Sequence, residues 1–545
     1  MSLPLEELRA VVLAAAASVR GGGGEPTAQP RLERPKRAGQ GDFSTNAAML
    51  LAPVLGAPPR VIAERLGAEL EQILHDQLQR WEVAGPGFLN LVLSDGWHRS
   101  ALRSVLDAGD RFGSGGADPA LRTLIEFVSA NPTGPLVAAS GRHAAYGDAL
   151  ARILEHHGHE VSREYYFNDA GNQIRLLGES IQARARGEEV PGGGYQGDYV
   201  RHLAAEIPGA ASGDVGEIAA RAVEILLARI EATLERYGVE FDRFFSERTL
   251  HEGSPNAVQR ALARLKEAGH IYRSEGAMWL RTTTFGDSHD QVVVRSNGEP
   301  TYLAADIAYL EEKRERGFEL QLMPVGADHH AYVSELKASM AAIGGDPDTV
   351  EVPILQFVHL VADGEVFKMS KRRGDFVTLD ELLDEIGVDA ARFFLLQRSH
   401  DRTLELNIEL ARSESAENPV YYVQYAHARI VSMLARLGKE RVAGAVDADA
   451  SWGDAELHSS ERDLIKKLVA LPDEIAEAAL RRAPHRIAAY ALELAQEFTA
   501  FYRDCHVVGA TPGTVEAFRV GLSVAAQRMI ALSLSLLGVS APESM

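Results

Sequence analysis

The stretch from Glu126 to Asp148 constrains this chain more than any other and reads EFVSANPTGPLVAASGRHAAYGD. The run from Thr123 to Val128 is apolar and β-prone, which predicts a buried strand. Asn131 to Pro135, NPTGP, breaks both helix and strand. Beyond Gly141 the apolar positions Ala145, Ala149, Leu150, Ile153 and Leu154 share one helical face, and Gly158 suits a helix C-terminus. The unit is therefore strand, Gly-rich turn, helix. That layout puts backbone N–H groups and a helix N-terminus where a nucleotide phosphate can sit. An ordinary β–α turn with no ligand has the same local signature, because a lone Gly-rich turn is a weak motif.

A second stretch narrows the choice. Phe367 to Gly374, FKMSKRRG, sets four cations in a short loop, and a helix is expected from near Thr378. A basic loop facing a phosphate-cradling turn suits a triphosphate whose leaving group must be neutralised. Here the chain resembles the class I aminoacyl-tRNA synthetases, whose KMSKS loop matches Lys368 to Arg372. The first stretch falls where that class carries its HIGH motif. SANPTGP, followed by GR and GDAL, is similar to the arginyl-tRNA synthetase family in particular.

Composition bounds the reading. The chain has 545 residues, room for roughly three to four domains. Its apolar content of 46% is enough for a large core and disfavours global disorder. A net charge of −21 argues against wholesale attraction to nucleic acid but leaves room for a local basic groove. Cys505 is the only cysteine, which excludes a disulfide framework and a Cys-based zinc site and points to a reducing cytoplasm. No N-terminal signal pattern and no apolar run of membrane-spanning length stands out, so no membrane is expected. There is no Walker loop, since Gly438-Lys439 is followed by Glu440, and no HExxH. His156, His157 and His159 sit at a helix end, where imidazolium would favour the helix dipole, and no metal is expected there.

In chain order, residues 1–112 are expected to form an α+β unit. It has helices over Leu5–Val19, from Ala47 and over Arg60–Leu74, an N-cap candidate at Asn46, and two strands around Gly85-Pro86-Gly87. Residues 113–412 alternate strand and helix, which predicts a Rossmann-like parallel sheet, with an insertion at about 170–290 and the KMSK loop at 368–372. Within it, Asn168-Asp169 is a helix-cap candidate, 215–270 reads as helical, and Met278–Thr284 and Val292–Ser296 read as a hairpin, followed by a turn at Asn297-Gly298 and a helix from Tyr302. Residues 380–412 read as helical, and 413–545 as an all-α unit. The fold class is thus multidomain α/β. The resemblance implies that the first unit meets the tRNA elbow, the second is catalytic and the third binds the anticodon.

The resemblance also implies roles for residues. Lys368, Ser370 and Lys371 would be catalytic, the two lysines stabilising the leaving pyrophosphate. ATP would be lined by Gly134, Ser140, Gly141, Gly326, Asp328 and His329 together with Lys368, Met369 and Lys371. Glu126, Asn131, Tyr302 and Asp306 match positions that hold arginine, and a guanidinium with five planar donors does need carboxylates. Tyr422, Tyr425 and Arg429 lie on adjacent helical turns and match an anticodon-reading surface, a mix that can stack on splayed bases.

One departure stands out. Where the family has PLHVGHGR, this chain has Pro135-Leu-Val-Ala-Ala-Ser-Gly-Arg142, so Val137 and Ser140 replace both HIGH histidines. His143 stands where the family has a small residue, in a helical register expected to point elsewhere. The expected function is an arginine–tRNA ligase acting as a monomer on ATP with Mg²⁺, L-arginine and tRNA(Arg), without a prosthetic group. The alternative is a catalytically weakened or silent tRNA-binding paralogue of the same fold.

Overall fold

The computed structural model describes residues 3–22, 24, 28–35, 39–362, 365–366, 377–447 and 450–545. The N-terminal region builds a four-stranded antiparallel sheet in the order Leu32–Glu33, Phe43–Thr45, Phe88–Leu93, Leu78–Ala84. Helices Pro4–Arg20, Ala47–Leu55 and Pro59–Leu74 pack with it through residues such as Leu8, Val12, Ile62 and Leu66. The turn between the last two strands needs its glycine. Gly87 has φ 143°, and a Cβ there would stand 2.6 Å from the Cβ of Pro59. Asn46 does flank the helix it was expected to cap, but its side chain accepts from the Arg31 N–H instead, at 2.8 Å.

The core sheet has five parallel strands in the order Val350–Glu351, Leu320–Leu322, Arg122–Glu126, Glu160–Phe167, Arg243–Ser246. From the central strand Arg122–Glu126 the chain moves outward to one side, then returns to the other at Leu320. The strand order therefore reverses between Glu126 and Leu322, and ligands of open α/β sheets occupy the crevice at such a switch point. Helix Ala138–His157 follows the central strand, ending at Gly158 with φ 113°. Its whole inner face is buried, which requires the run of Ala and Gly seen there: a Cβ on Gly147 would lie 2.2 Å from the Phe127 ring.

Three expectations need correction. The stretch 215–270 is not wholly helical, because Arg243–Ser246 is the edge strand of the core sheet, between helices Val215–Arg236 and Ala257–Glu267. The 380–412 stretch likewise hides strand Leu404–Asn407, parallel to Val358–Ala362. Both strands are four residues long, too short for a period-2 signal to outweigh the helical pattern around them. The expected hairpin forms, with Ala277–Leu280 antiparallel to Gln291–Val294, and Ile271–Ser274 adds a third strand through the turn Glu275-Gly276, both at positive φ. As expected, Asn297-Gly298 then turns the chain towards helix Tyr302–Glu315. Asp169 caps no helix. Its carboxylate takes the Ser246 hydroxyl at 2.8 Å and the Arg248 guanidinium, pinning the edge strand.

From Pro419 to Leu536 the described elements are all helices, from Pro419–Leu437 to Gly513–Leu536. The last helix is long and apolar enough to cross a membrane by composition alone, but 72% of its apolar window is buried within the bundle. Buried ions lock the parts together. Arg392, fully buried, donates to the carbonyls of Leu537 and Tyr237 and to Asp148 of helix Ala138–His157. Lys466 of the bundle meets Asp42 of the N-terminal sheet at 2.9 Å.

Candidate active site

A cavity of about 460 Å³ opens at the switch point, between the end of strand Arg122–Glu126 and the segment Met323–Gly326. Helix Tyr302–Glu315 forms one wall. Tyr302, Asp306, Tyr309 and Lys313 recur at helical spacing on it; the first three line the cavity and Lys313 lies behind them. Glu126, Tyr302, Asp306, Gly326 and His329 all line this one space, although Glu126 and Asp306 are far apart in sequence.

The floor is ionic. Lys313 is fully buried, with its ammonium 2.7 Å from Glu126 Oε2 and 3.8 Å above the Tyr309 ring. The other oxygen of Glu126 accepts from the Ser129 hydroxyl at 3.2 Å. Val128 and Ser129 both have positive φ, 66° and 41°. That conformation costs a β-branched residue about 1–3 kcal/mol. It turns the chain out of the sheet and brings Ser129 Oγ to Glu126 and to the Tyr166 N–H. Burial pushes the Asp306 carboxyl up to about 7, and the nearby Glu126 and Glu247 carboxylates add to the rise, while the Tyr332 hydroxyl and Lys313 oppose it. Glu247 is raised by the same burial. The cavity thus holds one carboxylate paired with a buried lysine and another that burial keeps near neutrality.

The other expected residues divide. Gly326 and His329 line the edge of the cavity, and Asp328 does not. The Asp328 and His329 side chains are more than half exposed and lie 3.6 Å apart. Tyr302 stands at the mouth, 66% exposed. Asn131 is not brought to the cavity: it accepts from the Asn168 N–H and donates to Gln173. A Cβ on Gly134 would lie 3.1 Å from the Tyr199 ring, whose hydroxyl donates to the Thr133 carbonyl. Gly141 faces inward, where a Cβ would lie 2.8 Å from Leu379, so its smallness serves helix packing. Val137 and Ser140 lie in the first turn of helix Ala138–His157 and its cap, outside the cavity lining. Contrary to its expected direction, His143 lines the cavity. Lys368, Met369, Ser370 and Lys371 lie outside the described residues. The segment just after them is tied to the helix start, with Thr378 bridged to Val137 and Ala138 donating to the Val377 carbonyl at 2.9 Å.

Thr378 also caps helix Leu379–Ile386 through a capping box with Glu381. Thr378→Ala is expected to cost about 1 kcal/mol of stability, read as a lower denaturant midpoint with an unchanged slope.

Among the histidines at 156–159, burial lowers all three, which disfavours the dipole-bound cation. His156 meets the Phe112 carbonyl, and His159 accepts from the Leu121 N–H.

A second cavity, about 350 Å³, lies in the helical region. Tyr421 and Tyr425 stack there, 6.1 Å between centroids, and Arg429 lies 4.4 Å above the Tyr502 ring. Tyr425 is 48% exposed, and the Tyr422 hydroxyl donates to Thr499 at 3.1 Å. Sequence reading missed Tyr502 and Phe498, which come from another helix, His485–Asp504. It also missed Lys313 and Tyr309, whose signal was present as the 302-306-309-313 stripe.

Comparison with known proteins agrees with this layout. Residues 6–93 match the arginyl tRNA synthetase N terminal domain, 214–431 the catalytic domain of class I (R) tRNA synthetases, and 423–545 the DALR anticodon binding domain. Among solved structures, a Campylobacter jejuni protein assigned as an arginyl-tRNA synthetase is 34% identical, with TM-score 0.76, covering 83% of this chain and 100% of its own. Thermus thermophilus arginyl-tRNA synthetase has the same fold at 23% identity and TM-score 0.77, over 99% and 100% of the two chains. The Plasmodium falciparum enzyme does so at 15% and 0.77, over the whole of both. With matched N-terminal, catalytic and anticodon-binding regions in this order, the chain belongs to the arginyl-tRNA synthetase family.

Proposed function

We propose that the protein is an arginine–tRNA ligase, joining L-arginine to the 3′ end of tRNA(Arg) at the expense of ATP. The observation that carries this reading is the acidic cavity at the switch point, where Glu126, Tyr302 and Asp306 converge. In the first step an oxygen of the arginine carboxylate bonds to the α-phosphorus, and the bond to the bridging oxygen of pyrophosphate breaks. In the second, a hydroxyl of the terminal ribose attacks the carbonyl carbon and AMP leaves. Neither step needs a covalent enzyme intermediate; the work is positioning and charge stabilisation.

Asp306, with Glu126, holds the guanidinium, and Tyr302 closes the mouth. Lys368 and Lys371 meet the leaving pyrophosphate, and Gly326 and His329 border the nucleotide. Mg²⁺ arrives with ATP as part of the substrate. The proposed division is residues 1–112 for the tRNA elbow, 113–412 for catalysis and 413–545 for the anticodon. The proposed setting is a monomer in the reducing cytoplasm, in keeping with a lone cysteine.

Aminoacylation with labelled arginine and tRNA(Arg) tests the reading. Val137 and Ser140, in place of two imidazoles, favour a second one, a silent paralogue that binds tRNA only. Tight tRNA binding with no charging establishes it.

Tyr425→Ala and Arg429→Ala are expected to weaken tRNA and to leave adenylate formation at saturating tRNA nearly unchanged. Each lost stacking contact is worth about 1–3 kcal/mol. Filter binding measures the effect. Variants that bind tRNA normally but melt earlier would assign both residues to the core.

A further inference from the structure

Lys313 is fully buried and does not itself line the active-site cavity. Its ammonium donates to Glu126 Oε2 at 2.7 Å and to Met323 Sδ at 3.2 Å, and lies 3.8 Å above the Tyr309 ring. Glu126, Met323 and Tyr309 do line the cavity, so the charge sits behind the wall they form. Leu310, one turn back on the helix, belongs with Met323, Leu336 and Met340 to one apolar cluster. Replacing a buried ion pair by apolar groups of similar volume is often neutral or stabilising. Stability alone therefore does not account for an ammonium in this place. The Ser129 hydroxyl donates to the other Glu126 oxygen at 3.2 Å, so the carboxylate is held at both oxygens. A carboxylate has about four acceptor sites, which leaves room for a ligand. Asp306 lines the same space from two turns earlier on the helix of Lys313. Two carboxylates facing one cavity disfavour each other's charge, and one keeps a proton unless a cation stands by. Burial, with a smaller contribution from Glu126, pushes Asp306 up, and Lys313 opposes the rise. No other cation of this helix end is free to take that place: Arg314 is engaged by the Ile343 carbonyl, and Arg316 by Glu164 and Glu312.

We propose that Lys313 is a positioning residue for the substrate: from behind the cavity wall it supplies the fixed counter-charge of Glu126, so that Glu126 and Asp306 both meet the guanidinium of arginine as carboxylates. The inference rests on the proposed binding of arginine in this cavity and adds the residue that readies the pocket for it.

Titration calorimetry of the full-length protein with L-arginine, and separately with ATP, tests the proposal without relying on turnover. Lys313→Met should weaken arginine about tenfold, within the range for residues coupled through one ion-pair network, and leave ATP affinity unchanged. Glu126→Gln strands the ammonium beside the incoming cation. In that background the same Lys313→Met substitution should tighten arginine by about threefold or more, because it removes a buried charge left without a partner. A side chain that served packing alone would weaken arginine in both backgrounds or in neither, so the reversal of sign marks action through Glu126. A Lys313→Met protein that binds arginine within about twofold of the wild type overturns the proposal, as does a parallel loss of ATP affinity. A double variant that binds arginine no more tightly than Glu126→Gln overturns it too, and this comparison holds even where Lys313→Met alone does not fold. The expected pattern in a protein that charges no tRNA would sink the ligase reading and leave this one standing. Failure of the wild type to bind arginine would sink both.

Discussion

Asp306→Asn is expected to raise the arginine KM at least about tenfold and leave the ATP KM where it was. The carboxylate is enclosed by protein, and its natural partner is a guanidinium. Removing one member of a buried charged pair costs about 2–5 kcal/mol, much of it from the charge left behind. Glu126 cannot take over, because Lys313 already neutralises one of its oxygens. A pH effect follows from the same site. Asp306 is raised from 3.8 to about 7, so between those values the folded protein holds a proton that the unfolded chain does not. Unliganded stability therefore falls as pH rises through that window. Arginine selects the ionised form, so its affinity should rise from pH 6 to 8, and binding below about pH 7 should release a proton. Calorimetry in buffers of different ionisation enthalpy reads that proton, and Asp306→Asn should abolish it. A changed ATP KM with arginine unaffected would refute the assignment.

Lys371→Ala is expected to slow adenylate formation by about 10²–10³, the worth of one preorganised donor aimed at developing charge. With Val137 and Ser140 in the HIGH positions, the proposed mechanism leaves the stabilisation of the leaving pyrophosphate to the basic loop. Single-turnover adenylate formation with tRNA present measures it. Activity within about threefold of wild type would show that other groups do this work.

The sequence alone determined whatever its local signals could reach. The strand-turn-helix at 122–157 and the hairpin around Gly85-Pro86-Gly87 were legible because apolar period and turn chemistry act over a few residues. The stacked aromatic helix at 419–437 and the Tyr302–Asp306 pair were legible for a related reason, since residues one turn apart must share a face. What only the tertiary structure decided are relations between distant segments. Lys313 meets Glu126 across 187 positions, and Tyr502 comes to Arg429 from another helix. Strand Arg243–Ser246 exists because Glu160–Phe167 offers it a ladder, not because four residues prefer that conformation. His143 faces the cavity because the close packing of Gly141 against Leu379 sets the rotation of the helix. Local preference proposes elements, but burial and the pairing of charges in a shared interior choose which side chains meet.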